Sequence, residues 1–264
     1  MAEVKQRLKQ ALRSALSNDS DKPDQVTSLT LLISALRANL GALTPALDPR
    51  MYSRMLVQTF VTGSLETNAY LVADRDTREA LVIDPGGDPG EILAFLAKER
   101  LTCRLIVNTH GHFDHISGNR ALKSATGASL LVHGGDVPML AEAATHARFF
   151  MMRAENSPPP DMLLEDQGEV RVGSVVLRVL HTPGHSPGGV TLVAPGVAFC
   201  GDLVFHGSVG RTDLPGGSER VLLDSIRRHI MTLPDDTVLY PGHGPETTVG
   251  LEKKQNPFFR IAGR

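Results

Sequence analysis

The sequence has few cysteines, no long apolar run and no excess of basic residues. Its two cysteines, Cys103 and Cys200, cannot form a disulfide framework, and each lies in or beside a predicted core strand, where a small buried thiol is expected. No run of about 18 apolar residues occurs, so no membrane span is expected. Basic residues interrupt the apolar positions near the N-terminus, which argues against a signal peptide and favours the cytoplasm.

The balance of charge also excludes a class of partner. The formal net charge is −2, and no basic face is evident, so we do not expect binding to nucleic acid. A hydrophobic content of 41% is ordinary for a globular protein. The 264 residues suffice for one sizeable domain with a small appendage.

The apolar spacing divides the chain into two predicted domains. Residues 2–16 and about 24–40 each place apolar residues on one helical face, so residues 1–50 are predicted to form a helical hairpin and a linker. A hairpin of this size is too small to fold alone and must pack on the main domain or on a partner. Residues 51–264 are predicted to form the main domain.

The main domain shows an α/β pattern, with strands in two series and helices outside them. This pattern predicts two facing sheets flanked by helices. The predicted helices are 90–99, one that begins near Ser117, 138–152 and 219–231. The predicted strands are Met55–Val61, Asn68–Ala73, Ala80–Ile83, Arg104–Asn108, Ser129–Val132, Val170–Leu180 with a break at Gly173, Val190–Val193, Val197–Cys200 and Thr237–Leu239.

The region after residue 134 is harder to interpret. A cluster at the end of its predicted helix contains Phe149, Phe150, Met151 and Met152. Such a cluster can line a substrate mouth, but large apolar side chains are more often buried, so we expect it to pack against the core.

Potential metal ligands follow one predicted core strand closely. The strand Arg104–Asn108 leads into His110, His112, Asp114 and His115. Alternate residues of an extended segment face the same way, so His110 and His112 can converge on one ion. Asp114 and His115 come where the chain is expected to turn, and they can face a second position beside the first. Imidazole and carboxylate ligands suit zinc, iron or manganese.

Three further ligand types stand alone at predicted strand ends. His185, Asp202 and His243 each lie in a turn rich in glycine or proline, where a side chain can be held at a rim. Each has an ordinary structural explanation when taken alone. Together with the cluster they make a set of five histidines and two aspartates, which chance explains poorly.

This combined motif resembles the metallo-β-lactamase fold superfamily over roughly residues 55–260. The resemblance implies an αββα sandwich with two divalent metal ions at one edge of the sheets, zinc being the expected metal and iron or manganese the alternatives. It implies that Asp202 bridges both metals, and that Asp84 supports the site from outside the ligands. By the same resemblance the first metal is held by His110, His112 and His185, and the second by Asp114, His115 and His243.

Local sequence narrows the resemblance to bacterial glyoxalase-II-like thioesterases. The segments 182–188, 201–205 and 207–215 are similar to that branch, as is 256–260. The resemblance implies hydrolysis of a small-molecule thioester, a glutathione conjugate being one candidate, with Asp114 orienting the nucleophile. Glyoxalase II itself has a C-terminal helical domain with basic residues for glutathione that this sequence does not repeat, so the thiol carrier stays open.

Arg211 is a candidate for binding a substrate carboxylate, because a guanidinium can hold one with two parallel hydrogen bonds. A structural ion pair with Asp213 is the equally weighted alternative. Other activities also stay open. They are hydrolysis of another ester or a lactone, and persulfide dioxygenation by one iron on His110, His185 and Asp202. A nuclease and a non-catalytic interaction protein are disfavoured, and the sequence leaves the oligomeric state open.

Overall fold

A computed structural model describes residues 54–263 of the chain. The helical hairpin predicted for residues 1–50 lies outside these residues, so it and the boundary after it stay predictions. Within the described range no helix is both long and apolar enough to cross a bilayer. The strands form two mixed six-stranded sheets and a small two-stranded ribbon.

The first sheet is built from the N-terminal half of the described chain. The strands pair antiparallel on one side of the sheet. On the other side four strands pair in parallel, namely β3 (Glu79–Ile83), β4 (Thr102–Val107), β5 (Ser129–His133) and β6 (Met162–Leu164). The parallel strands need crossovers, which the helices supply. In spatial order the strands are β1 (Met55–Thr62), β2 (Thr67–Asp74), β3 (Glu79–Ile83), β4 (Thr102–Val107), β5 (Ser129–His133) and β6 (Met162–Leu164).

The second sheet is mostly antiparallel. Within the described residues its one parallel pair joins β10 (Val197–Gly201) to β13 (Val238–Pro241). The ribbon of β11 (Val204–Phe205) and β12 (Ser208–Val209) follows β10 in the chain. In spatial order the strands of the sheet are β14 (Thr247–Thr248), β13 (Val238–Pro241), β10 (Val197–Gly201), β9 (Val190–Ala194), β8 (Val175–His181) and β7 (Glu169–Val172).

Apolar side chains on both faces of the sheets create three core layers. In β2, Leu71 packs outward against helices, whereas Val72 packs between the two sheets. Because successive side chains of a strand point to opposite faces, a strand that is buried throughout must serve two cores. In β10, Phe199 likewise lies between the sheets, and Ala198 faces the helices behind the second sheet. The predicted αββα sandwich is therefore confirmed.

The helices lie outside the two sheets. Those on the first sheet are α1 (Gly90–Lys98), α2 (Phe113–Ile116), α3 (Asn119–Thr126), α4 (Val137–Leu140) and α5 (Ala143–Phe149). Those on the second sheet are α6 (Glu219–Ser225), which continues into a π turn over Ile226–Ile230, α7 (Val249–Gln255) and α8 (Pro257–Ala262). The sequence reasoning did not predict α7 and α8.

Two local predictions are corrected. The helix predicted for 138–152 is two short helices, α4 and α5, joined by a break at residues 141–142. The Phe/Met cluster is only partly buried: Met152 packs against the core, but Phe149 and Met151 are 80% and 97% exposed. Met151 has φ 57°, a left-handed backbone conformation that ends the helix instead of continuing it.

Candidate metal centre

The end of β4 is held in place by a buried carboxylate. Asp84 follows β3, the parallel neighbour of β4, and has φ 49°, which is unusual for a residue with a side chain. Its Oδ1 accepts the backbone N–H of Thr109 at 2.7 Å, and its Oδ2 accepts the Thr109 hydroxyl at 2.5 Å. Oδ2 also lies 3.0 Å from His115 Nδ1. The supporting position predicted for Asp84 matches these contacts.

Three histidines from both sheets form the first ligand group. His110 and His112 lie in the loop after β4, and His185 lies in the loop between β8 and β9. One side-chain nitrogen of each is within 4.8 Å of the others, and His112 Nδ1 is 2.8 Å from His185 Nε2. His112 has extended backbone with ψ 146°, directly before α2 begins. The structure thus brings together the three residues that the resemblance groups around the first metal, and their role as ligands stays a prediction.

The second ligand group lies beside the first. Asp114 and His115 are in α2, so the helical turn directs them away from the position that His112 faces. His243, in the loop after β13, has its Nε2 3.2 Å from Asp114 Oδ2 and 3.3 Å from His115 Nε2. These three side chains also form a group whose ligand atoms lie within 4.8 Å of one another.

Asp202 lies between the two groups. Its Oδ2 is 3.4 Å from His185 Nε2 and 3.6 Å from His243 Nε2. Its Oδ1 is 3.3 Å from His115 Nε2. A single carboxylate therefore reaches ligands of both groups, which is the geometry that a bridging role requires.

Backbone carbonyls orient two of the histidines. His185 Nδ1 donates to the carbonyl oxygen of Arg211 at 2.7 Å, and His243 Nδ1 donates to that of Leu65 at 3.0 Å. A carbonyl oxygen can only accept, so the proton is on Nδ1 in both rings. In the neutral form of each ring, this tautomer leaves Nε2 with a lone pair that can bind a cation.

Two buried atoms of the site have no hydrogen-bond partner among the described residues. They are His110 Nε2 and Asp202 Oδ1, and the latter lies 3.3 Å from His115 Nε2. Burying such atoms without partners is costly. A divalent cation bound to both kinds of atom removes this cost, so the donor set fits a metal centre.

Two histidines of the first group are held neutral. Burial lowers the pKa of His110 well below its usual value, and the neighbouring histidines lower it further. Burial likewise lowers the pKa of His112 to about 3, with His185 adding to the effect. Histidine must be unprotonated to bind a metal, so both rings are ready to do so at neutral pH.

The second group is rich in negative charge. Burial disfavours a charged His115, but Asp202, Asp114 and Asp84 outweigh it and raise the pKa of His115 well above its usual value. Burial opposes ionisation of Asp114 and Asp202 as well, yet His115 holds the pKa of each below its usual value. Three carboxylates around one ring require positive charge, which a divalent cation can supply.

The other predicted candidates lie outside the two groups. The Arg211 guanidinium is exposed and makes two hydrogen bonds of 2.8 Å to Asp213, which is the alternative pairing considered for it. Its role in substrate binding stays a prediction. His181, which the sequence analysis did not assign, also lies outside both groups and stacks on His133 with ring centroids 4.1 Å apart. His206 is exposed.

Sequence reasoning missed the residues that support the ligand loops. Thr67 at the start of β2 has its hydroxyl 3.4 Å from Asp114 Oδ2, and Asn108 donates to the carbonyl of His115 at 3.2 Å. Asp136 accepts hydrogen bonds from both loops of the first group. Its signal in the sequence was Gly134-Gly135-Asp136 directly after a core strand, next to the strand that carries the histidine cluster.

Fold and site together define an αββα protein with a candidate His/Asp metal centre at the edge of its sheets. Residues 62–243 match the family model described as Metallo-beta-lactamase superfamily. The chain therefore belongs to the metallo-β-lactamase superfamily, and the resemblance to that superfamily noted in the sequence is confirmed.

The matches to two curated relatives extend over most of the length of each relative. The probable metallo-hydrolase YqgX of Bacillus subtilis is 37% identical over 199 residues, which is 74% of this chain and 93% of YqgX. The hydroxyacylglutathione hydrolase GloC of Haemophilus influenzae is 32% identical over 208 residues, which is 77% of this chain and 98% of GloC.

Solved structures also match. BLEG-1, a B3 metallo-beta-lactamase, is 37% identical with a TM-score of 0.73 and covers 77% of this chain and 99% of its own. TTHA1623 in a di-iron-bound form is 39% identical with a TM-score of 0.70, covering 76% of this chain and 100% of its own. ETHE1 from Myxococcus xanthus is 31% identical with a TM-score of 0.65, covering 80% and 86%.

Proposed function

We propose that this protein is a dinuclear metal hydrolase that cleaves a small-molecule thioester, in the manner of a hydroxyacylglutathione hydrolase. The position of Asp202, within 3.6 Å of nitrogens from both ligand groups, is the observation that carries the dinuclear part. The similarity to GloC over almost all of that protein supports a thioester as substrate. We propose no nucleic-acid or membrane partner.

Each cation has its own ligand group. His110, His112 and His185 would hold the first, and Asp114, His115 and His243 the second, with Asp202 shared. Zinc suits this set of nitrogen and oxygen donors, and the di-iron form of TTHA1623 makes iron the alternative. When bound, such cations supply Lewis acidity, which lowers the pKa of water from 15.7 toward about 7 and polarises a carbonyl group.

The chain orients the attacking water through Asp114. Its pKa is held below the usual range by His115 and His243 against the effect of burial, so this side chain is a carboxylate at neutral pH. Thr67 occupies one side of Asp114 Oδ2. A carboxylate held in this way accepts a hydrogen bond from water and directs the oxygen lone pair at the substrate carbonyl.

The leaving group needs little help from the chain. Water adds to the thioester carbonyl, the C–S bond breaks, and the products are a carboxylic acid and a thiol. A thiol has a pKa of about 8.5, so a thiolate can depart without a strong general acid. Among the site residues His110 and His112 are held neutral, which fits binding rather than proton donation.

The test compares substrates on one preparation of known metal content. We expect the zinc- or iron-loaded protein to hydrolyse S-lactoylglutathione, with release of free thiol, faster than it hydrolyses a chromogenic β-lactam. Oxygen consumption with glutathione persulfide is measured in parallel. Thioester turnover no faster than that of the metal-free protein would contradict the proposal. Persulfide-dependent oxygen uptake would indicate the persulfide dioxygenase alternative instead.

The Asp202→Ala variant tests the shared carboxylate. We expect kcat/KM to fall by more than the roughly 10–100-fold that loss of an outer partner costs, because both groups lose a ligand. Circular dichroism should show an unchanged fold. Asp236→Ala removes an exposed carboxylate that belongs to neither ligand group. It is the matched control, and we expect its activity to equal that of the unaltered protein. Equal activity in both variants would contradict the role given to Asp202.

A further inference from the structure

A fully buried carboxylate, Asp136, lies beside the metal centre but contributes no ligand to either group. Its Oδ2 accepts the backbone N–H of Gly111 at 2.9 Å and the hydroxyl of Ser186 at 2.7 Å. Its Oδ1 accepts the backbone N–H of Gly188 at 2.6 Å. A buried charge requires partners of this kind, and here all three come from two loops that are distant in sequence.

The topology explains why Asp136 reaches both loops. β4 and β5 are parallel neighbours, so their carboxyl ends lie at the same edge of the sheet. The chain leaves β5 at His133, whose ring accepts the N–H of Gly135 at 3.2 Å, and turns through a 3₁₀ helix over Gly134–Asp136. This turn delivers Asp136 to the loop that follows β4.

The donors to Asp136 are next to metal ligands. Gly111 lies between His110 and His112, and Ser186 follows His185. All three histidines of the first group are thus adjacent to a residue that hydrogen-bonds to one carboxylate.

Two glycines allow the backbones to approach this closely. A Cβ atom on Gly188 would lie 2.6 Å from the backbone nitrogen of Asp136. A Cβ atom on Gly111 would lie 3.0 Å from its carbonyl oxygen. The first distance is shorter than real Cβ contacts, and the second is at the tight limit of such contacts, so the absence of side chains at these positions lets the two loops close on Asp136.

We propose that Asp136 is a positioning residue that sets the separation of the two loops and thereby the geometry of the His110, His112 and His185 group. It touches neither substrate nor metal, and it acts by fixing the backbone on which these ligands stand. The proposal rests on the metal centre of the proposed function and not on the identity of the substrate.

The isosteric variant Asp136→Asn isolates this role. An amide oxygen can accept from Gly111 or from Gly188, but the amide nitrogen then faces the other N–H, and two donors cannot pair. Ser186 can rotate its hydroxyl to adapt, whereas neither backbone N–H can. Every orientation of the amide therefore releases one of the two loops.

Asp74→Asn is the matched control. Asp74 is also fully buried and accepts hydrogen bonds from the N–H and hydroxyl of Ser174 and from the N–H of Asp76. It lies at the end of β2, whereas Thr67, which contacts Asp114, lies at the start of the same strand. The same chemical change can thus be made far from the metal centre.

The experiment measures zinc affinity by chelator competition, the visible spectrum of the cobalt-substituted protein and the melting temperature of the metal-free protein. We expect Asp136→Asn to weaken binding of one of the two cations by about 10–100-fold and to alter the cobalt spectrum. Asp74→Asn should lower the melting temperature but leave zinc affinity and spectrum unchanged. Unchanged affinity in Asp136→Asn, or an equal loss in both variants, would overturn the proposal.

Ser186→Ala decides the question if Asp136→Asn does not fold. It removes one donor and keeps both backbone contacts, so we expect zinc affinity to fall about two- to fivefold. Affinity equal to that of the unaltered protein would then overturn the proposal. None of these readouts uses a substrate, so a failed thioester assay leaves them valid, and their failure leaves that assay valid.

Discussion

His110 and His115 lie side by side, with ring centroids 4.1 Å apart, yet their pKa values shift in opposite directions. His110 is buried among other histidines, whereas three carboxylates lie around His115. The same residue type is therefore prepared for two roles by its neighbours alone. The His110 ring is neutral and can bind a cation directly. The His115 ring holds a proton that a cation must displace before the ring can bind it.

At this scale Arg211 offers a clear test. If its guanidinium binds a substrate carboxylate, Arg211→Ala should raise KM by roughly two- to fivefold and leave kcat nearly unchanged, since an exposed ion pair is weak. Asp213→Ala should lower KM or leave it unchanged, because it frees the guanidinium. Steady-state kinetics of both variants check this, and an unchanged KM in Arg211→Ala would assign the residue to its pair with Asp213 alone.

At the scale of elements, the ligand cluster works because the chain changes from extended to helical at His112. His112 is extended directly before the helix, and Asp114 and His115 belong to the first turn of α2. A continuous strand would point Asp114 the same way as His112, and a continuous helix would separate His110 from His112. The change of backbone period at one residue produces two adjacent ligand groups.

The loop after β13 limits the space around Asp202. A Cβ atom on Gly242 would lie 2.1 Å from Asp202 Oδ1 and 2.7 Å from His115 Cε1. We expect Gly242→Ala to displace these ligands and to lower metal content and kcat/KM by at least about tenfold. Gly90→Ala is the control, because a Cβ atom there comes no closer than 3.4 Å to a neighbouring atom and the residue does not have a positive φ. Inductively coupled plasma mass spectrometry and kinetics measure both effects, and equal results in the two variants would contradict this account.

Asp74 joins β2 of one sheet to the turn between β7 and β8 of the other. Burial opposes its ionisation, but hydrogen bonds from Ser174, Asp76 and Thr77 outweigh this effect and lower the pKa of Asp74 below its usual 3.8. Its contribution to stability is therefore present above the pKa of the unfolded chain and is lost as pH falls through the lower pKa of the folded protein.

We expect Asp74→Asn to lower the free energy of unfolding by about 1–3 kcal/mol at neutral pH, because backbone donors lose their partner. The difference from the unaltered protein should be constant between pH 7 and 5. It should shrink as pH falls from about 4 through the lowered pKa of folded Asp74, below which both side chains are neutral. Urea denaturation at several pH values measures it. The exposed Asp236→Asn is the control, and a difference that grows in acid would contradict the assignment.

At the scale of the whole molecule, the metal centre closes one edge of the sandwich. The cluster at residues 110–115 follows β4 of the first sheet, whereas His185, Asp202 and His243 follow strands of the second sheet. Bound cations would therefore link the two sheets, as the hydrogen bond from Val190 N–H to the Thr109 carbonyl already does at 2.8 Å. Metal binding and stability of the fold should be coupled.

Removal of the metals tests this coupling. At a free metal concentration of about 100 times the dissociation constant, binding stabilises a protein by about 2.7 kcal/mol, which in a domain of this size corresponds to a rise of roughly 5–10 °C in melting temperature. We expect a chelator to lower the melting temperature by this amount and zinc to restore it. Differential scanning calorimetry measures the change, which Asp202→Ala should reduce. Identical melting temperatures with and without chelator would contradict the link between the sheets.

Much of this architecture was predictable because local patterns reflect it directly. The run Leu105-Ile106-Val107 predicts a buried strand, and the four potential metal ligands that follow it closely predict a metal site. The exposure of Phe149 and Met151 was not predictable, since hydrophobicity indicates a preference for burial but not whether the core has room. The break between α4 and α5 was missed for the same reason, because tertiary packing overrides helical periodicity.

The sequence by itself determined most of the strands, the αββα class and the seven candidate ligands, because side-chain periodicity and donor chemistry are local properties. Only the tertiary structure decided which ligands are neighbours: His185, Asp202 and His243 are separated from the cluster by up to 133 residues, as His243 is from His110. It also decided that Asp136 lies between two ligand loops, since parallel pairing of β4 with β5 brings their ends together. Contacts between distant segments depend on the packing of the whole chain, which no local pattern contains.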